Sequence, residues 1–163
     1  MTVPKTGGGL RRLTLLGAGE AAAYARVVGH VTPAIERRLG PEVFANRAPG
    51  GRSLEPWQDA RTRWRRAASR LVRTAPVATM DVTTCYDTIT PEVVEDALGG
   101  FDVSSSARRE IVDVLRIFRD AGVPGIPVGP DPSAILANAV LASVDDPCAK
   151  QESISSGGSM TWS

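Results

Sequence analysis

The residues best suited to chemistry in this sequence are a carboxylate and an aromatic side chain five positions apart, Asp81 and Tyr86. Asp81 ends a short apolar run that begins at Pro76, and such runs are typical of strands covered on both faces. A carboxylate at the end of a buried strand stands where a core opens into a cleft, and it could hold a divalent metal ion there. A simpler alternative fits equally: Asp81 begins a turn and Tyr86 packs in a core.

A second stretch, from Gly122 to Ser133, is a glycine- and proline-rich loop that runs into an apolar helix predicted from Ala134 to Val144. The first block is an aspartate followed five residues later by an aromatic residue, and the second reads GIPVGP, then a serine, LAN and an aspartate. From about Pro76 to Asp146 the sequence therefore resembles the reverse transcriptases, RNA-directed DNA polymerases, in their bacterial single-chain branch. The second block is most similar to free-standing enzymes associated with phage defence, although intron and retron enzymes also fit.

The resemblance implies nucleotidyl transfer with two Mg²⁺ ions that are held by carboxylates. Asp81 would be a catalytic residue and a metal ligand, and the backbone carbonyl of Val82 would be a second ligand. The ring of Tyr86 would block the 2′ hydroxyl of ribonucleotides and so favour deoxynucleoside triphosphates. Three residues of the second block would pass under the template base and the incoming nucleotide: Pro127, Val128 and Gly129. The implied partners are an RNA template and a DNA or RNA primer.

The third block of the family, a pair of aspartates in a hairpin, does not occur in this sequence. The tail from Ser153 to Ser163 is polar and unlike the preceding residues, and codons can be chosen for it whose shifted reading frame encodes HFVRWVDDVV. We therefore expect a frameshifted or decayed, inactive fragment of a reverse transcriptase. The alternative is an unrelated, naturally disordered tail that is rich in serine and glycine.

Composition sets the broad class. With 163 residues, of which 42% are hydrophobic and 23% charged, the chain could form one globular domain. The sequence contains no apolar run long enough for a membrane span and no apolar leader, so we expect no membrane association. Two cysteines are too few for a disulfide scaffold or a zinc site, and a reducing, cytoplasmic setting is predicted.

Charge is divided unevenly along the chain. Residues 1–73 contain 14 Lys and Arg against 5 Asp and Glu, whereas residues 74–163 contain 5 against 13. A helix predicted from Trp57 to Arg73 has an apolar stripe and six arginines, and it could line a nucleic-acid backbone or a triphosphate site. Arg47 and Arg65 are the candidate triphosphate contacts. Solvated arginines on an ordinary amphipathic helix are the simpler interpretation.

The predicted fold class is α+β: a partial right-hand polymerase fold, fingers and part of the palm, mostly helical with a short palm sheet. Residues 1–9 are predicted to be a disordered arm, 10–75 a helical fingers-like region that Gly29 and Pro33 interrupt, 76–146 a partial palm, and 147–163 an irregular tail. Two other functions stay open. One is a non-catalytic nucleic-acid-binding module, and the other is a small helical scaffold in which both motifs are coincidental.

Overall fold

The computed structural model describes residues 1–4, 10–51, 53–74, 76, 82 and 84–155, and for residues 11 and 144–155 it describes the backbone alone. Within these ranges two short strands precede six helices. The strands are β1 (Thr2–Pro4) and β2 (Leu10–Arg12), which pair antiparallel. The helices are α1 (Ala18–Arg38), α2 (Trp57–Leu71), α3 (Cys85–Thr88), α4 (Pro91–Gly99), α5 (Ser105–Asp120) and α6 (Asp131–Ser155).

Four of the helices enclose one apolar core. Helix α1 packs against α5 and α6, and α4 packs against the same two helices. Each of the four contributes fully buried side chains, among them Tyr24, Ile35, Leu98, Leu115 and Leu136. The described part of the chain is therefore mostly helical, as the sequence predicts. The polymerase fold itself stays a prediction.

Helix α1 runs without interruption through Gly29 and Pro33, so the predicted break at these residues is wrong. The buried side chains Val27, Val31 and Ile35 recur at helical spacing and form one continuous apolar face on the core. Burial of each such side chain is worth about 1.5–3 kcal/mol, which together exceeds the cost of about 3 kcal/mol for a proline inside a helix.

Pro33→Ala is expected to stabilise the protein by about 1–2 kcal/mol. Pro33 is exposed, and alanine restores the N–H that can bond to the Gly29 carbonyl. Loss of the proline restriction on the unfolded chain opposes this gain by about 0.4–1 kcal/mol. The measurement is urea unfolding followed by circular dichroism, and a higher midpoint at unchanged slope is expected. A lower midpoint would show that contacts of the Pro33 ring outweigh the missing hydrogen bond.

Helices α4 and α5 begin and end at residues that are typical of helix boundaries. The Thr90 hydroxyl accepts a hydrogen bond from the third amide of α4, and the Ser104 hydroxyl accepts one from the Ala107 amide of α5 at 3.2 Å. Gly122 follows α5 with a φ of 89°, a left-handed conformation that glycine adopts without strain. Such boundaries can be predicted from sequence because caps and stops depend on neighbouring residues.

Two terminal segments differ from their predictions. Thr2–Pro4 forms β1 and pairs with β2, where the sequence predicts a disordered arm. Helix α6 continues to Ser155, where the sequence predicts an irregular tail from residue 147, because Ala, Lys, Gln and Glu in this stretch are good helix formers. The strand predicted to end at Asp81 has only Pro76 among the described residues.

Within the described residues, no helix is both long and apolar enough to cross a lipid bilayer.

Candidate functional site

The two sequence blocks are in direct contact. The Ile126 amide donates a hydrogen bond to the Tyr86 carbonyl at 3.0 Å, although helices α4 and α5 separate these residues along the chain. Gly125 lies close to the backbone of α3. A Cβ atom at this position would overlap the Tyr86 carbonyl oxygen and would sit 2.8 Å from the Asp87 carbonyl oxygen. The backbone can approach this closely only because Gly125 has no side chain. The structure thus joins the aromatic residue of the first block to the loop of the second.

The other end of the loop is held by the residues before α1. The Thr14 amide donates to the Val128 carbonyl at 2.9 Å, and the Leu13 side chain lies beside Gly129. Gly129 has a φ of 123°, a conformation that side chains disfavour. Of the three residues predicted to pass under the nucleotide, Pro127 is buried, Val128 is half-buried and Gly129 is exposed.

Ser133, at the start of α6, forms a buried hydrogen bond with Tyr24 of α1, with 3.0 Å between their oxygens. Burial raises the pKa of the Tyr24 hydroxyl far above its usual range, and the hydrogen bond with Ser133 opposes this only in part. The Tyr24 ring also meets the Phe118 ring edge to face at 5.2 Å between centroids. This neutral pair fixes the end of the loop against α1 and α5.

Asn138 joins α6 to the loop before α2. Its side-chain amide donates to the carbonyls of Ala45 and Asn46 at 3.0 and 3.1 Å. Asn46 has a positive φ of 56°, which asparagine tolerates better than most residues. The asparagine of the LAN block therefore supports the loop that carries Arg47.

Arg47, a predicted triphosphate contact, is engaged within the protein. Its Nε donates to Glu36 at 2.9 Å, and its Nη1 donates to the carbonyls of Gly40 and Val43 at 2.9 and 3.3 Å. The side chains of Arg47 and Glu36 are only 20% and 12% exposed. Glu36 also accepts a hydrogen bond from the Ala48 amide at 2.7 Å. Arg47 thus fixes its loop to α1, and a triphosphate contact stays a prediction.

Arg65, the second predicted triphosphate contact, lies on α2 with an exposed side chain. Among the described residues no carboxylate lies within ion-pair distance of it. Helix α2 buries only Ala60, in spite of its apolar stripe. Arg65 is therefore accessible, but nothing in the described residues places it beside Tyr86.

The predicted metal ligands are Asp81 and the backbone carbonyl of Val82. Asp81 lies outside the described residues, and the Val82 side chain is exposed. In the described ranges, no three His, Cys, Asp or Glu side chains come together in a way that could hold a metal ion. The roles of Asp81 and Val82 towards Mg²⁺ stay predictions.

The described part of the protein is mostly helical, and its glycine-proline loop contacts Tyr86 in α3. Protein-family models, curated protein sequences and solved structures were compared with the chain, and none matches it.

Three residues that organise this region were not predicted to do so: Thr14, Tyr24 and Glu36. The helical spacing of Tyr24 with Val27, Val28 and Val31 would have placed it in the core. No local pattern in the sequence indicates its hydrogen bond with Ser133, since the two residues are far apart in the chain. The same holds for Thr14, which acts through its backbone.

Proposed function

We propose that this chain carries the nucleotide- and template-binding part of a reverse transcriptase of the bacterial single-chain type. As an inactive fragment, it would bind in the cytoplasm an RNA template, a DNA or RNA primer and deoxynucleoside triphosphates. The observation that supports the proposal most is the contact of Gly125 and Ile126 with the backbone of Tyr86 and Asp87. The resemblance requires these two blocks to meet, whereas a coincidental match makes no such demand.

In such a site, Asp81 and the Val82 carbonyl offer oxygen ligands, the type that Mg²⁺ prefers. Bound Mg²⁺ would neutralise charge on the attacking and leaving oxygens of the transfer. The described residues would contribute by positioning the incoming nucleotide. Gly125 lets the loop approach α3, and the half-buried Tyr86 would present its ring to the sugar of the incoming nucleotide. Its bulk would leave no room for a 2′ hydroxyl.

Tyr86→Ala is expected to abolish discrimination between deoxynucleotides and ribonucleotides. The test binds the full chain to an RNA template annealed to a DNA primer in Mg²⁺, and then titrates the complementary dNTP or rNTP. The native chain should prefer the dNTP by about 10–100-fold, since a steric clash costs about 1–3 kcal/mol. Tyr86→Ala should bind both about equally.

Tyr86→Phe is the matched control because it keeps the ring and should keep the preference. Asp81→Ala should remove the Mg²⁺ dependence of nucleotide binding, and circular dichroism checks that each variant is folded. The proposal fails if the native chain binds neither nucleotide, or if Tyr86→Ala retains the full preference.

A second candidate is a nucleic-acid-binding module that performs no chemistry, and the exposed, cationic helix α2 favours it. Salt-dependent binding of nucleic acid with no effect of Mg²⁺ or nucleotide would support this candidate over the first. Mg²⁺-dependent nucleotide binding that Asp81→Ala abolishes would exclude it.

A further inference from the structure

Helix α2 exposes its apolar side chains. Trp57, Trp64 and Leu71 are 61%, 50% and 55% exposed, although they follow one another at intervals of seven residues. Seven residues span two helical turns, so these side chains lie on one side of the helix at steps of about 10 Å. Two exposed indoles on one helix are unusual, because tryptophan side chains are on average largely buried in folded proteins.

Arginines flank this apolar stripe. Arg61 and Arg65 follow Trp57 by four and eight residues, which places them along one edge of it. The Arg61 guanidinium lies over the Trp57 ring, 5.5 Å from its centre. Arg63 forms an ion pair with Glu55, whereas among the described residues no carboxylate pairs with Arg61, Arg65, Arg66 or Arg70. Arg66 and Arg70 follow Trp57 by nine and thirteen residues, which places them on the far side of the helix. The helix therefore combines open aromatic faces with unneutralised positive charge.

We propose that α2 is a binding surface for single-stranded nucleic acid, with bases stacked on Trp57 and Trp64 and phosphates held by the neighbouring arginines. This inference rests on the second candidate function, nucleic-acid binding, and names the class of nucleic acid and the mode of contact. Exposed bases have apolar faces that stack on indole rings, and the phosphates supply the matching charge. An intact duplex hides those faces and offers the indoles little surface.

Two other occupants fit the observations less well. A second α2 helix packed on the stripe would bring Arg61 and Arg65 of each copy together, and like charges repel. A membrane surface would have to receive Trp57 together with the guanidinium that covers its ring, and a charge is costly among acyl chains. A base can stack on an indole that also carries an arginine, because the ring has two faces and the guanidinium covers only one of them.

The test measures fluorescence anisotropy of a fluorescein-labelled 20-nucleotide oligo(dT) or oligo(U), and of a 20-base-pair duplex, with the full chain. The native chain should bind both single strands at least about 10-fold more tightly than the duplex. Trp57→Ala with Trp64→Ala should weaken single-strand binding by about 100-fold, on the order of 10-fold for each ring, and should leave duplex binding unchanged. The double variant Trp57→Phe with Trp64→Phe should retain most of the single-strand binding.

Matched controls come from other exposed residues. Val93→Ala with Ile117→Ala removes exposed apolar groups of α4 and α5 and should change nothing. Arg61→Ala with Arg65→Ala should lower the slope of log affinity against log salt for single strands by about 1.4, whereas Arg109→Ala, an exposed arginine of α5, should leave it unchanged.

Each contrary outcome has a distinct meaning. Salt-dependent binding that is equal for duplex and single strand, and insensitive to the tryptophan changes, overturns the stacking surface but retains nucleic-acid binding. No binding to any oligonucleotide overturns both. Vesicles of anionic phospholipid that bind the native chain but not the tryptophan variant, in the absence of oligonucleotide binding, assign α2 to a membrane. A dimer in sedimentation that the tryptophan changes dissociate assigns it to a second copy.

Discussion

Gly125→Ala is expected to lower the free energy of unfolding by about 3 kcal/mol or more. The added methyl group would overlap the backbone of Tyr86 and Asp87, and backbone cannot turn aside as a flexible side chain can. The loop must move away from α3 and lose the hydrogen bond between the Ile126 amide and the Tyr86 carbonyl. For a chain of this size we expect the melting temperature to fall by about 6–12 °C, measured by circular dichroism.

Gly29→Ala is the matched control, because no atom lies within 4 Å of a methyl group added there in the interior of α1. It should raise stability by about 0.5–1 kcal/mol, since alanine favours helix over glycine. Equal melting temperatures for Gly125→Ala and the native chain would show that the loop does not pack on Tyr86 as described. The proposed nucleotide site would then lose its main support.

Arg47→Ala should destabilise the protein by about 2 kcal/mol, whereas Arg65→Ala should stay within about 0.5 kcal/mol of the native chain. Arg47 donates to Glu36 and to two carbonyls from a mostly buried position, so its removal leaves the Glu36 carboxylate without its charge partner. The figure lies below the 3–5 kcal/mol of fully buried pairs, because both side chains keep some contact with water.

Urea unfolding of four chains measures this effect: the native chain, Arg47→Ala, Glu36→Ala and the double variant. We expect the double variant to lose less unfolding free energy than the two single variants lose together, because each single change already removes the same Arg47–Glu36 interaction. Additive losses would mean that Arg47 and Glu36 do not interact in solution. An Arg47 variant of native stability that no longer binds triphosphate would assign Arg47 to the ligand instead.

Local signals in the sequence predict much of the helical framework. Thr90, Ser104 and Gly122 set the ends of α4 and α5 through bonds and backbone angles within a few residues. Pro33 shows where this reasoning fails. A proline signals a break locally, but the buried face of α1 depends on partners in α5 and α6 that the local pattern does not contain.

The candidate site was predicted from a resemblance rather than from local physics. No rule of spacing brings Tyr86 to Gly125 across two helices, and the ion pair of Arg47 with Glu36 is equally hidden, since both side chains are of types that usually lie at the surface. Helix α2 shows the reverse case. Its spacing is typical of a buried stripe, yet the described residues leave that stripe exposed.

The position of the tryptophans also decides what optical spectroscopy can report. Of the three in the sequence, two lie on α2, and Trp162 lies outside the described residues. The four-helix core contains tyrosine and phenylalanine as its aromatic side chains. The emission of the two α2 indoles should therefore already resemble that of indole in water. It would register whatever covers α2, while the far-ultraviolet signal of the helices would follow the melting of the core.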